Sequence, residues 1–387
     1  MHRVIIPVGA VFFLSLAGVW VALRGFTPSD GYTPVKNVEV GIRLDTVASG
    51  LENPWSMAFM PDGRILVTER PGRLRIVSRE GALSPPVSGL PEVHASGQAG
   101  LLDVIVDKDY AQSRRIFFSY AEPDGEGKAG TAVASAVLNG NRLEEVQVIF
   151  RQQPKVKGDN HWGSRLVLSP QGHLFVTTGD RWDHRDKVQG LDNHMGKVVR
   201  IHTDGSVPKD NPFVETADAL PEVWSLGHRN MQGATWNAER DTLWIHEHGP
   251  RGGDEINEIA AGKNYGWPVV SFGRNYDLTK VGEGMTAQEG MEAPLFYWDP
   301  SIAPSGMVIY SGNIYPQWKG SLFVGALAGQ ALVRLTVDGT EIRGEERLLE
   351  AELGERIRDV RQAPDGHLYI LTDSDDGKII RIARADG

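Results

Sequence analysis

From Val38 onward the chain is written in short runs of alternating apolar and polar residues, separated by turn formers. "GRILVTE", "RRIFFSY", "GHLFVTTGD", "DTLWIHEHG", "GSLFVGAL" and "GHLYILTD" are the clearest. Side chains on a strand alternate between its two faces, so such runs predict half-buried strands. No stretch of ordinary helical length keeps a 3.6-residue period. The 45 glycines and 22 prolines punctuate the strands, and the pattern predicts an all-β fold.

The runs repeat. "SMAFMPDGRILVTE", "RLVLSPQGHLFVTTGD" and "DVRQAPDGHLYILTD" share one template of strand, Pro-Asp/Gln-Gly turn and strand. "ATWNAERDTLWIHEHG" and "VIYSGNIYPQWKGSLFVGAL" are looser copies, and "LLDVIVDKDYAQSRRIFFSY" is a sixth with a longer turn. Proline presets φ and glycine accepts positive φ, which suits a tight turn. Six such units, followed by further strands such as "GRLRIV" and "GKVVRI", predict a six-bladed β-propeller of four-stranded antiparallel blades.

Composition narrows the chemistry. With 387 residues and 41% hydrophobic content there is ample material for a core. The net charge of −10 argues against a nucleic-acid partner, which needs a basic face. The absence of cysteine excludes disulfides, thiolate nucleophiles, thiolate zinc sites and iron–sulfur clusters. The N-terminus, "MHRVIIPVGAVFFLSLAGVWVALRG", has a basic start and a long apolar run closed by Arg24. A run of about 20 residues can span a bilayer, and no A-x-A cleavage pattern follows. Residues 1–25 therefore read as a membrane anchor or signal peptide, 26–37 as a linker and 38–387 as the propeller. Either N-terminal reading puts the working part of the chain outside the cytoplasm.

In a propeller, equivalent positions of every blade meet around one axis. The residues just before the six first strands are Asn53-Pro54-Trp55, Gln98, His161, His228-Arg229-Asn230, Pro304-Ser305 and Arg356-Ile357-Arg358. One rim thus gathers an amide, an imidazole and several guanidiniums, the mixture a polar ligand pocket needs. His161 is a candidate general base, with Asp180 at the end of the same hairpin to orient it. Arg356 and Arg358, two apart on a strand, point to one face. They form either a fork for carboxylates or surface ion pairs with Glu355 and Asp359. His246 and His248 resemble a zinc pair without an evident third ligand. The Gly249 and Pro250 carbonyls, with Asp254 and Glu255 nearby, offer hard oxygens suited to calcium. Gly125–Gly130 matches GxGxxG, but strands on both sides make it a hairpin tip. The acidic "DSDDG" around Asp373 reads as a solvated turn.

Taken in order, "NPWSMAF", "GQAGLLD", "NHWGSRL", "TTGD", "MGKVVRI", "SLGHRNMQG", "EHGPRGGDEIN", "GKNYGWP", "WDPSIAPSGM" and "RIRDV" resemble the soluble pyrroloquinoline quinone (PQQ)-dependent sugar dehydrogenases, in particular the periplasmic aldose sugar dehydrogenases. The resemblance spans about residues 50–382. It implies a propeller with PQQ across the top of the channel, His161 as the base that deprotonates the sugar, Asp180 as its partner and Gln98 as an adjacent amide. It further implies Arg229 and Asn230 at the quinone oxygens, with Arg229 stabilising the reduced oxygen, and Arg356 and Arg358 at the cofactor carboxylates. Calcium is implied at Gly249 and Pro250, and at Glu255 and Tyr265. Tyr276 and Trp298 are implied as walls of the cofactor or sugar site. Ala328 stands where better-known soluble glucose dehydrogenases carry a cofactor-side lysine. The absence of their dimerisation insertion implies a monomer.

The expected function is therefore oxidation of an aldose to its lactone, with an external electron acceptor downstream. Two rivals stand beside it: a calcium-dependent lactonase-type hydrolase, and a non-catalytic sugar-binding propeller.

Overall fold

In a computed structural model the structure describes residues 41–385; residues 1–25, read as an anchor or signal peptide, and the whole 26–37 linker lie outside the described residues. Among the described residues six antiparallel sheets follow one another. Their inner strands are Pro54–Phe59, Leu101–Val106, Gly163–Leu168, Gly233–Asn237, Pro304–Ile309 and Ile357–Gln362. Each lies against the next, and the sixth returns to the first, so the sheets close into the predicted six-bladed ring. The ring is fastened by the ends of the chain. Strand Ile42–Leu51 supplies the outer edge of the sixth blade, pairing antiparallel with Gly377–Arg384. Among the described residues the α-helical content is one turn, Tyr110–Ser113, as the missing 3.6 period predicts.

Five blades have four strands; the first has three. Beyond strand Arg73–Val77 its outer edge shrinks to a single bridge, Val77 to Leu83, and amide bonds from Ser84 and Val87. Pro85 and Pro86 lie between those two donors and have no N–H to continue a ladder.

The shared turn template has one geometry in three blades. The amides of Gly63, Gly172 and Gly366 bond the carbonyls of Met60, Ser169 and Ala363 at 2.9 Å, with φ of 83°, 86° and 86°. Only glycine takes that region without strain. Residues 124–128 join two paired strands, so the GxGxxG match is indeed a hairpin tip.

The axis is filled by charge. The buried Arg165 guanidinium lies 3.2 Å from both Asp103 and Asp359 and 4.3 Å over the Trp55 ring. Arg361 reaches the same two carboxylates at 2.9 Å. These residues come from inner strands of four blades, so the network ties the ring together beneath one rim. Each carboxylate also accepts a neighbouring strand's amide: Leu166 N–H bonds Asp103 and Met57 N–H bonds Asp359. Such added bonds offset part of the cost of burying an ion pair.

Candidate active site

His161 sits just before the third inner strand with φ of 54°, a left-handed conformation that a non-glycine residue holds only when its surroundings enforce it. Two contacts do so. The Gln98 side-chain oxygen accepts its amide at 2.9 Å, and its Nδ1 meets Asp180 Oδ1 at 2.6 Å. Gly179 of "TTGD" makes the approach feasible, because a Cβ there would stand 2.1 Å from the His161 carbonyl oxygen.

Asp180 is itself fixed on three sides. Besides His161 it accepts the Trp182 amide at 2.9 Å and the Trp267 indole N–H at 2.8 Å, and its own amide bonds the Arg229 carbonyl at 2.7 Å. With Nδ1 engaged by a carboxylate, Nε2 is the nitrogen left for chemistry. Burial pushes the His161 pKa below its ordinary value. The Asp180 carboxylate opposes that, while Arg229 and Arg181 add to it. The imidazole is thus neutral at neutral pH, which is the form that accepts a proton.

His161 and Asp180 open into a cavity of about 620 Å³ lined also by Trp182, Arg229, Pro250, Trp267 and Tyr276. Trp182 and the exposed Tyr276 stack at 5.6 Å among the polar side chains of Asp183, Arg185, Asn275, Asp277 and Thr279. Arg229 lies between the two sides of the site, 5.2 Å from the Trp267 ring. Its Nη1 donates to the carbonyls of His248 and Gly249 at 3.0 and 2.7 Å, leaving Nε buried without a partner.

An adjoining pocket of about 300 Å³ is lined by Gln98, Asn230, His248, Arg70, Arg356 and Arg358, among others. Two of these arginines hold one carboxylate: Arg356 Nε and Arg358 Nη2 both lie 3.0 Å from Asp373. The buried nitrogens Arg70 Nε and His248 Nε2 have no partner. Buried donors without acceptors are costly and rare in native proteins. Their clustering marks a place shaped for a ligand rich in acceptors and negative charge.

Residues 51–381 match the glucose/sorbosone dehydrogenase family. The chain belongs to that family. It is 43% identical over 346 residues to the aldose sugar dehydrogenase YliI of Escherichia coli (strain K12), covering 88% of this chain and 93% of that one. A crystal structure of a glucose dehydrogenase superposes with a TM-score of 0.86 at 48% identity, covering 89% of this chain and all of the other. The PQQ-bound aldose sugar dehydrogenase of Streptomyces coelicolor superposes at 0.73 and 27% identity, with 90% and 99% covered.

Within this glucose/sorbosone dehydrogenase, the fold brings most of the expected site residues together. His161, Asp180, Arg229, Pro250 and Tyr276 line the first cavity, and Gln98, Asn230, Arg356 and Arg358 the second. Gly249 reaches the site through its carbonyl bond to Arg229. Ala328 is exposed, one residue beyond the pocket-lining Leu327. The Tyr265 hydroxyl is committed elsewhere: it donates to the Glu258 carbonyl at 2.6 Å and accepts the Ala260 amide at 2.9 Å. That leaves its main-chain carbonyl as a metal donor. Glu255 stands directly across from Glu247 on the neighbouring strand. Burial, with that like charge beside it, pushes the Glu255 pKa well up.

Three expectations need correction. Trp298 packs in the core of the fourth and fifth blades, its indole donating to Glu345 at 3.0 Å, and lines neither of these two cavities. Asp373 is not in a solvated turn: its carboxylate is nearly buried and clamps Arg356 and Arg358 together. Glu355 and Asp359 are therefore not their partners. Glu355 pairs with Lys378, and Asp359 with Arg165 and Arg361. Sequence reasoning also missed the roles of Trp182 and Trp267. Trp267 comes from the long excursion between Ile259 and Phe296, whose lack of alternation hides where it folds; "GKNYGWP" was its one signal.

Proposed function

We propose that this protein oxidises the anomeric hydroxyl of aldose sugars to the lactone, using PQQ as the two-electron acceptor and an external carrier to reoxidise it. The observation that carries the reading is the His161–Asp180 contact at 2.6 Å, with the free imidazole nitrogen on the side of a cavity flanked by unpartnered cationic donors. PQQ is a flat ortho-quinone bearing three carboxylates, and when bound it supplies the hydride acceptor that the protein's own side chains lack.

The residues present fit such a group. Arg356, Arg358 and Arg70 offer forked guanidiniums to carboxylates. Arg229, with Asn230 beside it, offers a fixed positive charge where negative charge develops on an oxygen. His161 Nε2 takes the sugar hydroxyl proton, and Asp180 stabilises the resulting imidazolium and holds the ring in register. Trp182 and Trp267 wall the cavity and limit water around the reacting atoms.

Calcium belongs to the same proposal. The Gly249 and Pro250 carbonyls are hard oxygen donors near the cofactor side. The Glu247–Glu255 pair, with the buried Asn257 Oδ1 lacking a partner, has the chemistry of a hard-cation site. A bound calcium would offset the burial and the like charge that raise the Glu255 pKa. Among the described residues no group of three or more histidine, aspartate and glutamate side chains forms a ready cluster, so main-chain oxygens would have to complete any such site. A periplasmic location and a monomeric state complete the proposal. Among the described residues no helix is long and apolar enough to cross a membrane.

A hydrolytic lactonase has less support. The carboxylates on the axis, Asp103 and Asp359, are paired with Arg165 and Arg361 and are not free for a metal. A binding propeller would have no use for an oriented imidazole–carboxylate pair. The deciding experiment supplies PQQ, calcium, aldoses and an artificial dye to the purified protein. Dye reduction that disappears in His161→Gln supports the proposal. PQQ bound by absorbance without any dye reduction ends it.

A further inference from the structure

Lys197 opens the third strand of the third blade with its side chain wholly buried. Its Nζ donates to the carbonyls of Val188 and Met195 at 2.7 and 2.6 Å, and no carboxylate stands within ion-pair distance among the described residues. Burial pushes its pKa down to about 7, with distant Asp192 opposing weakly. An ammonium taken from water without a counter-charge is costly, and an inward strand position would ordinarily be apolar. The expense is concentrated in one place: both carbonyls belong to the segment between Asp180 and Lys197.

That segment leads back to the dyad. Val188 and Met195 share a small buried cluster with the Trp267 ring. Gln189, next to Val188, donates to the Trp267 carbonyl at 2.7 Å. The Trp267 indole then donates to Asp180 Oδ2 at 2.8 Å, and Asp180 Oδ1 meets His161 Nδ1. Lys197 also pairs in register with Thr178, two residues before Asp180. It therefore braces the carboxylate from both the loop and the strand.

We propose that Lys197 is a positioning residue for the proton-accepting pair. By gripping the Val188 and Met195 carbonyls it fixes the shelf on which the Trp267 indole rests, and that indole holds Asp180 so that the His161 proton stays on Nδ1. The inference rests on His161 serving as the base, but its first readout does not depend on turnover.

The test compares Lys197→Met, Lys197→Gln, Trp267→Phe and the double variant Lys197→Met/Trp267→Phe. In the unloaded protein, ¹⁵N-histidine spectra report the His161 tautomer, and hydrogen exchange reports the Trp267 indole N–H. Wild type is expected to hold a single Nδ1–H tautomer. Lys197→Met is expected to give a mixture and indole exchange faster by about tenfold or more. Lys197→Gln, which keeps an uncharged N–H donor group on a shorter side chain, should fall between them and supplies a foldable variant if the methionine form does not fold. In the PQQ-loaded protein, kcat should fall by about tenfold or more with KM for sugar little changed. The double variant should be no worse than the poorer single, because both act through one path. A Lys197→Met protein with lowered Tm but wild-type tautomer and kcat would overturn the proposal. So would losses that multiply in the double variant. Loss of the base assignment itself would appear separately, as His161→Gln retaining turnover while the tautomer data still report on Lys197.

Discussion

Replacing Asp180 by asparagine tests the centre of the mechanism with almost no change in shape. Three donors converge on this carboxylate: His161 Nδ1–H and the Trp182 amide at Oδ1, and the Trp267 indole at Oδ2. An amide offers one acceptor and one donor group, so it cannot satisfy all three. With its oxygen toward His161, the NH₂ meets the Trp267 N–H, and the lost bond costs about 1–3 kcal/mol. Turned the other way, the NH₂ faces Nδ1 and draws the imidazole into the tautomer with its proton on Nε2, where no base remains. In both orientations the negative charge that stabilises an imidazolium is gone. A positioned general base is worth roughly 10²- to 10⁴-fold. At about 1.4 kcal/mol per decade, the barrier should rise by about 3–5 kcal/mol. PQQ affinity should hold, because the cationic side of the cleft is untouched. Cofactor titration by absorbance, followed by dye-coupled steady-state kinetics on the loaded variant, separates the two effects. An Asp180→Asn enzyme that binds PQQ and turns over within fivefold of wild type would refute the assignment.

Other consequences are independent of that one. Because burial lowers the His161 pKa, the base stays unprotonated below the ordinary histidine value. The acid limb of kcat/KM should therefore lie below pH 6.5, and a limb at or above 7 would contradict the burial argument. Arg358→Met removes a buried cation from the cofactor side and should weaken PQQ by about 1.5–3 kcal/mol, the value of a charged hydrogen bond, with kcat on the loaded enzyme largely kept; titration with PQQ measures it. Asp103→Ala leaves two buried guanidiniums, Arg165 and Arg361, sharing the single carboxylate of Asp359 and should cost about 3–5 kcal/mol of stability, read as a shift in the denaturation midpoint.

The sequence by itself determined the number of blades, the shared turn and the identity of most side chains around the site. Strand alternation and a Pro-x-Gly turn are local properties, set by two-fold pleating and by glycine's access to positive φ. Repetition of that local unit leaves a ring as the way to bury both faces of every sheet. His161, Arg229 and Arg358 were legible for the same reason, since each precedes or opens an inner strand and so must face the rim. Tertiary structure decided what those residues do to one another. Asp373 looked like part of an acidic turn until folding set it between two arginines. Trp267 lies in a segment with no periodicity, 87 residues from the Asp180 it bonds. Trp298 alternates as a strand residue should, yet which of the two faces meets a pocket depends on the neighbouring blade. Lys197 reads as an ordinary strand-opening lysine, and only the loop folded over it removes the ammonium from water. Local pattern fixes where a side chain sits along its strand. Its pKa, its partners and its access to solvent depend on atoms brought from distant parts of the chain.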